Sequence, residues 1–128
     1  LLKLQNFSDE RGDLCIVERV NQIFFNINRI YYIYNVKNKM SRAFHAHKKL
    51  EQLFIAISGS FDILLDDGYD KIVYHLNDPK LGLHIRPIIW RELYNFSPNG
   101  ICLVLASEKY SKDDYCSTYE EFLKYIIR

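Results

Sequence analysis

Long apolar runs are missing from this 128-residue chain. No stretch reaches the roughly 20 residues that cross a bilayer, and the start lacks the basic-then-apolar layout of a secretory signal. Cysteine is scarce: Cys15, Cys102 and Cys116 are odd in number and widely spaced. That argues against a disulfide framework and for free thiols in a reducing compartment, so a cytoplasmic setting without a membrane partner is expected. An excess of charge of either sign is absent too, with 17 Lys and Arg against 16 Asp and Glu, which removes the electrostatic reason to expect nucleic acid. No repeat, low-complexity tract or linker divides the chain. Its length suits one domain over residues 1–128.

What the chain has is short runs rich in Ile, Val, Tyr, Phe and Leu. Residues 13–18, 29–36, 52–57, 61–65, 71–76, 84–88 and 101–106 read as strands. Ser58-Gly59-Ser60 and Asp66-Asp67-Gly68 supply turn chemistry for two successive hairpins. Many short strands separated by turns predict an all-β sandwich or barrel. The period changes at the end, where Tyr119, Phe122, Leu123, Ile126 and Ile127 recur at helical spacing behind a capping-box pattern at Ser117 or Thr118. One short C-terminal helix is expected to pack on the β body.

The chemistry-bearing feature is Arg42-Ala43-Phe44-His45-Ala46-His47-Lys48. Two of only four histidines lie one residue apart, and in an extended strand both imidazoles share a face. An imidazole that titrates near neutrality both accepts and returns a proton, so a paired acid/base site is one reading and a metal site the other. His75 and His84 stand outside this segment and are read as structural.

A His-x-His pair on a strand, followed by a polar residue and a glycine turn, resembles the first motif of the cupins, small β-barrels or jelly rolls. By that spacing Gln52 stands where metal-binding cupins carry glutamate, with Glu51 beside it on the opposite face of a regular strand. The second motif would be Pro87-Ile88-Ile89-Trp90-Arg91-Glu92, with a carboxylate at the usual histidine position. His45, His47 and Glu92 leave a facial triad for iron as an alternative.

Closer at hand, Arg29-Ile30-Tyr31-Tyr32-Ile33-Tyr34 and the segment from Arg42 to Gln52 resemble the signature of the dTDP-4-keto-6-deoxyglucose 3,4-ketoisomerases. Asp9-Glu10-Arg11-Gly12, Leu65-Asp66-Asp67-Gly68, Pro87 with Trp90 and Glu92, residues 103–107 and Asp114-Tyr115 extend the likeness over nearly the whole chain. Ala43 stands where that family often has glycine, which bears on the backbone just before the pair. The resemblance implies a cupin jelly roll that works as a homodimer, without metal or other cofactor, on a dTDP-linked 4-keto-6-deoxy sugar. The neutral amide of Gln52, a poor metal ligand, agrees with that.

Moving a ketone from C4 to C3 needs a base for the C3 proton, an enediolate, and a proton for C4. His47 is assigned as base and His45 as its partner, with the reverse order open. Tyr32 is the candidate phenol on the sugar or in a proton relay. Arg42 and Arg29 are the candidates for the diphosphate, since a planar guanidinium donates two parallel bonds, with Arg11 in reserve. Gln52 is a candidate donor to a sugar or phosphate oxygen, and Trp90 a candidate face for the pyranose or thymine. A 3,5-epimerase acting on the same nucleotide sugar, a metal-dependent cupin and a non-catalytic sugar-binding cupin are the competing readings.

Overall fold

The computed structural model describes residues 1–19, 23–37 and 40–126. Its strands are β1 (Leu2–Lys3), β2 (Gln5–Asp9), β3 (Gly12–Ile16), β4 (Arg29–Ile33), β5 (Arg42–His47) and β6 (Gln52–Ser58) in the first half. There follow β7 (Phe61–Asp66), β8 (Lys71–Leu76), β9 (Leu81–Ile85), β10 (Trp90–Tyr94), β11 (Ile101–Ala106), a 3₁₀ turn (Lys112–Asp114), β12 (Tyr115–Cys116) and α1 (Tyr119–Ile126). Two antiparallel five-stranded sheets, β1-β9-β6-β11-β4 and β12-β5-β10-β7-β8, enclose the core, and β2 with β3 forms a separate hairpin. This is the all-β jelly roll with one short C-terminal helix that the sequence led one to expect. Ile127 lies outside the described residues.

The space between the sheets is divided along the strands. One end is apolar, filled by Phe54, Ala56, Phe61, Ile63, Leu83, Ile85, Leu93, Cys102 and Val104. These sit at alternate positions, as the pleat requires. The outward residues of β6 and β11, Leu53, Ile55 and Leu105, meet Leu4, Ile23 and Phe25 in a second cluster. On the other sheet, the outward Trp90 is buried beneath α1, against Tyr119 and Phe122. The helix start is capped as expected: Thr118 Oγ1 accepts the Glu121 backbone N–H at 3.1 Å.

Two expectations need correction. Ser58-Gly59-Ser60 does not close a hairpin, because β6 and β7 belong to different sheets. The Ser60 N–H and C=O bond instead to Ser97, Oγ and N respectively, each at 2.9 Å, and Gly59 at φ +62° carries the chain across. The strand read at 84–88 is Leu81–Ile85, three residues earlier. It ends before Pro87, and Ile88 has φ +60°, which no regular strand accommodates. The hairpin of β7 and β8 over Asp66-Asp67-Gly68 forms as read.

Ala43 and Phe44 have φ +77° and +55°, next to the register shift where β5 meets β10. A left-handed residue with a Cβ costs about 1–2 kcal/mol, against roughly 0.5–1 kcal/mol for the extra chain entropy that glycine loses on folding. The strain is the larger quantity. Ala43→Gly is therefore expected to stabilise the protein by about 0.5–1 kcal/mol, read as a higher urea midpoint at unchanged slope. A lower midpoint would mean that the positive φ carries no strain.

Candidate active site

The polar end of the barrel interior is assembled from inward positions of five strands. Arg29 and Tyr31 come from β4, His45 and His47 from β5, Gln52 from β6, Arg91 from β10, and Tyr115 from β12. A cavity of about 240 Å³ opens here, lined among others by Arg29, Tyr31, Arg42, His45, Arg91 and Tyr115. Three guanidinium groups and no carboxylate line it, so its field favours an anion. Its volume is below the roughly 300–1,000 Å³ that encloses a drug-sized ligand. It suits a sugar ring whose larger appendage stays at the mouth.

The two histidine rings meet edge-on with centroids 4.7 Å apart, and the Tyr115 ring lies 4.8 Å from His45 and 4.4 Å from His47. His45 Nδ1 is 3.1 Å from the carbonyl oxygen of Ala43, and His47 Nδ1 is 3.1 Å from Asp114 Oδ2. Both partners only accept, so each Nδ1 carries the ring proton and each Nε2 is a bare acceptor. Neither Nε2 has a hydrogen-bond partner among the described residues, although both are buried. Burial first, and the Arg91 charge second, hold both imidazoles below their ordinary range, His45 at about 4 and His47 further down. At neutral pH the site presents two neutral bases.

Arg91 is fully buried. It donates to Gln52 Oε1 and, at 2.9 Å, to the Ile89 carbonyl, while Gln52 Nε2 donates to the Tyr31 hydroxyl at 2.9 Å. Burial lowers the guanidinium to about 10, which leaves it charged at neutral pH. Desolvation also raises the Tyr31 phenol above its usual range, so it stays protonated. Arg29 stacks over Tyr31 and Tyr110, 5.1 and 5.8 Å from their ring centres.

A metal fits poorly among these side chains. Among the described residues no three His, Cys, Asp or Glu groups converge to hold one. Glu92, the alternative third ligand, alternates with Arg91 on β10 and accepts from Trp90 Nε1 at 2.9 Å on the outer face. The position opposite the histidine pair is held by a fixed cation, and a second cation there would be repelled.

Of the residues singled out from sequence, His45, Arg29 and Arg42 line the cavity. His47, whose ring meets that of His45 edge-on, is 1% exposed and more deeply set. Gln52 is inward but fully buried; it joins Tyr31 to Arg91 rather than lining the cavity. Tyr32 and Trp90 are corrections. Tyr32 is 61% exposed on the outer face of β4, beside Tyr34, and Tyr31 takes the inward place. Trp90 faces α1, and Arg91 takes the inward place. Arg11 pairs with Asp9 on the β2–β3 hairpin at 2.7 Å. His75 pairs with Asp62 at 2.6 Å and His84 with Glu51 at 2.9 Å, both away from the cavity. Arg91 and Asp114, the partner of His47, were not assigned from sequence; strand parity with Arg29 is the signal that points to Tyr31, and parity with Leu93 the one that points to Arg91.

The family description FdtA: WxcM-like, C-terminal matches residues 1–127. A TDP-4-oxo-6-deoxy-alpha-D-glucose-3,4-oxoisomerase of Aneurinibacillus thermoaerophilus is 39% identical over all of this chain and 92% of its own. The chain belongs to the FdtA family of 3,4-ketoisomerases. The crystal structure of a 3,4-ketoisomerase from Helicobacter canadensis superimposes with a TM-score of 0.96 at 42% identity, covering 99% of this chain and 96% of that one. The sugar 3,4-ketoisomerase QdtA of Thermoanaerobacterium thermosaccharolyticum, crystallised in complex with TDP, gives 0.94 at 38% identity, covering 98% and 91%.

Proposed function

We propose that this chain, acting as one domain over residues 1–128, converts TDP-linked 4-keto-6-deoxyglucose into the 3-keto-6-deoxyhexose without metal or redox cofactor. The observation that carries the reading is a pair of neutral imidazoles with bare Nε2 atoms beside a cavity that bears three guanidinium groups and no carboxylate. A relative 39% identical over all of this chain and named for that substrate supports it.

His45 Nε2 takes the C3 proton, the C3–H electron pair becomes the C3=C4 bond, and the C4 carbonyl oxygen becomes an enediolate oxygen. His45 then returns its proton to C4. The C3 hydroxyl proton passes through His47 Nε2 to the C4 oxygen, which leaves the ketone at C3. The sequence favoured His47 as the carbon base; the cavity wall supports the reverse order, because His45 lines it and His47 is set deeper with its Nε2 unpartnered. Arg91 stabilises the enediolate electrostatically, Tyr31 donates from its buried phenol, and Arg29 and Arg42 hold the diphosphate at the mouth.

A homodimer belongs to the same reading. Phe7 and Leu14, cross-strand partners on the detached β2–β3 hairpin, are 53% and 57% exposed, and Ile30 and Tyr32 add apolar surface on β4. A cytoplasmic setting accords with three free thiols.

Turnover of the 4-keto sugar in heavy water tests the reaction. A 3-keto product with deuterium at C4 is expected. Deuterium at C5 would turn the assignment to epimerisation, and tight binding without exchange at C3 would make the chain a binding module.

A further inference from the structure

Asp114 ends the 3₁₀ turn and precedes Tyr115, which pairs with His47 across β12 and β5. Its carboxylate is divided between two donors. Oδ1 accepts the Lys49 backbone N–H at 2.8 Å, and Oδ2 accepts from His47 Nδ1 at 3.1 Å. Its own carbonyl accepts the Lys48 N–H at 2.8 Å. The turn is thus tied to the chain on the far side of the histidine pair, and the carboxylate, 11% exposed, has little freedom to rotate.

We propose that Asp114 is the positioning residue that fixes the His47 tautomer, keeping Nε2 free to carry the hydroxyl proton between the two sugar oxygens. The assignment rests on the reaction proposed above. His45 and His47 are treated differently by the fold: His45 is held by a neutral carbonyl, His47 by an anion. The carboxylate gives the His47 ring a charged partner while it holds a proton, where the Ala43 carbonyl gives His45 only a dipole. That suits a ring that holds a proton in transit between oxygens.

The Lys49 N–H makes the test decisive. In Asp114→Asn the amide oxygen is required by that donor, so the NH₂ group faces His47 Nδ1. Two donors cannot meet, and the ring proton must move to Nε2, which ends its role as acceptor. The same exchange in a Ser-His-Asp triad costs about 10⁴-fold in kcat through the wrong tautomer.

Long-range ¹H–¹⁵N correlation spectra of the full chain with labelled histidine read the tautomer without reference to activity. Wild-type His47 is expected with its proton on Nδ1, and in Asp114→Asn on Nε2, with His45 unchanged. Turnover should fall about 10³–10⁴-fold with KM within about threefold, and Asp114→Glu should recover both the tautomer and part of the rate. A proton on Nε2 in the wild type overturns the proposal whether or not the variant folds, as does an unchanged tautomer in Asp114→Asn. A flipped tautomer with full turnover removes His47 from the reaction and overturns the role, while deuterium incorporation by the wild type stands as the separate test of the ketoisomerisation.

Discussion

His45→Asn is expected to lower turnover by about 10³–10⁴-fold, the upper part of what a positioned general base contributes, while TDP affinity stays within about tenfold. Asparagine can present an amide N–H to the Ala43 carbonyl that His45 Nδ1 now faces, so the strand need not shift. It has no group that takes a carbon-bound proton. The proposed diphosphate contacts, Arg29 and Arg42, come from other positions on the cavity wall. Hydrogen exchange at C3 in heavy water, followed by NMR, and TDP binding by calorimetry measure the two effects separately. Exchange within tenfold of wild type would move the base elsewhere. Loss of TDP binding would show that His45 shapes the cavity instead of acting on the sugar.

Arg91→Met should separate the catalytic from the structural worth of the buried cation. Turnover is expected to drop about 10²–10³-fold, the usual loss when one preorganised group facing a developing oxyanion is removed. The pH profile should move as well. After burial itself, the Arg91 charge is the largest influence keeping both imidazoles below their ordinary range. A depressed base remains unprotonated to lower pH, so the wild-type kcat/KM plateau extends down to about pH 5, and loss of the charge should raise the acid limb by about one pH unit. Stability should behave in the opposite sense to activity. Among the described residues the guanidinium has no ion-pair partner within bonding distance, and a buried charge so placed is expensive enough to offset the Gln52 and Ile89 acceptors that its removal leaves unpaired. Thermal unfolding at unchanged or higher temperature, together with the kinetic loss, is the expected pair of results. A large fall in melting temperature with an unmoved acid limb would make Arg91 a structural strut.

Most of the strands and the terminal helix were legible because period-2 runs bounded by Gly, Asn and Asp have few other interpretations, whereas β1, β2, β10 and β12 were not read as strands. The His45 and His47 pair was legible for the same reason, since any extended strand places both rings on one side. The errors share a physical origin. Tyr32 and Trp90 each sit one residue from the side chain that enters the barrel, Tyr31 and Arg91. In a strand, that single step reverses the face. Aromatic and charged residues on both faces of β4 and β10 left composition unable to choose. In β4 the inward face carries Arg29, Tyr31 and Ile33, while Ile30 and Tyr32 look out. In β10 the buried arginine defies the rule that charges lie outside.

Local sequence by itself determined the all-β class, the capped helix and the side-by-side imidazoles, because each depends on spacing within a few residues. Tertiary structure alone decided which sheet each strand joins, which residue of each adjacent pair faces inward, and that Asp114, 67 positions beyond His47, holds its ring proton. Those depend on register between distant strands, and register is set by the packing of the whole core, not by any one segment.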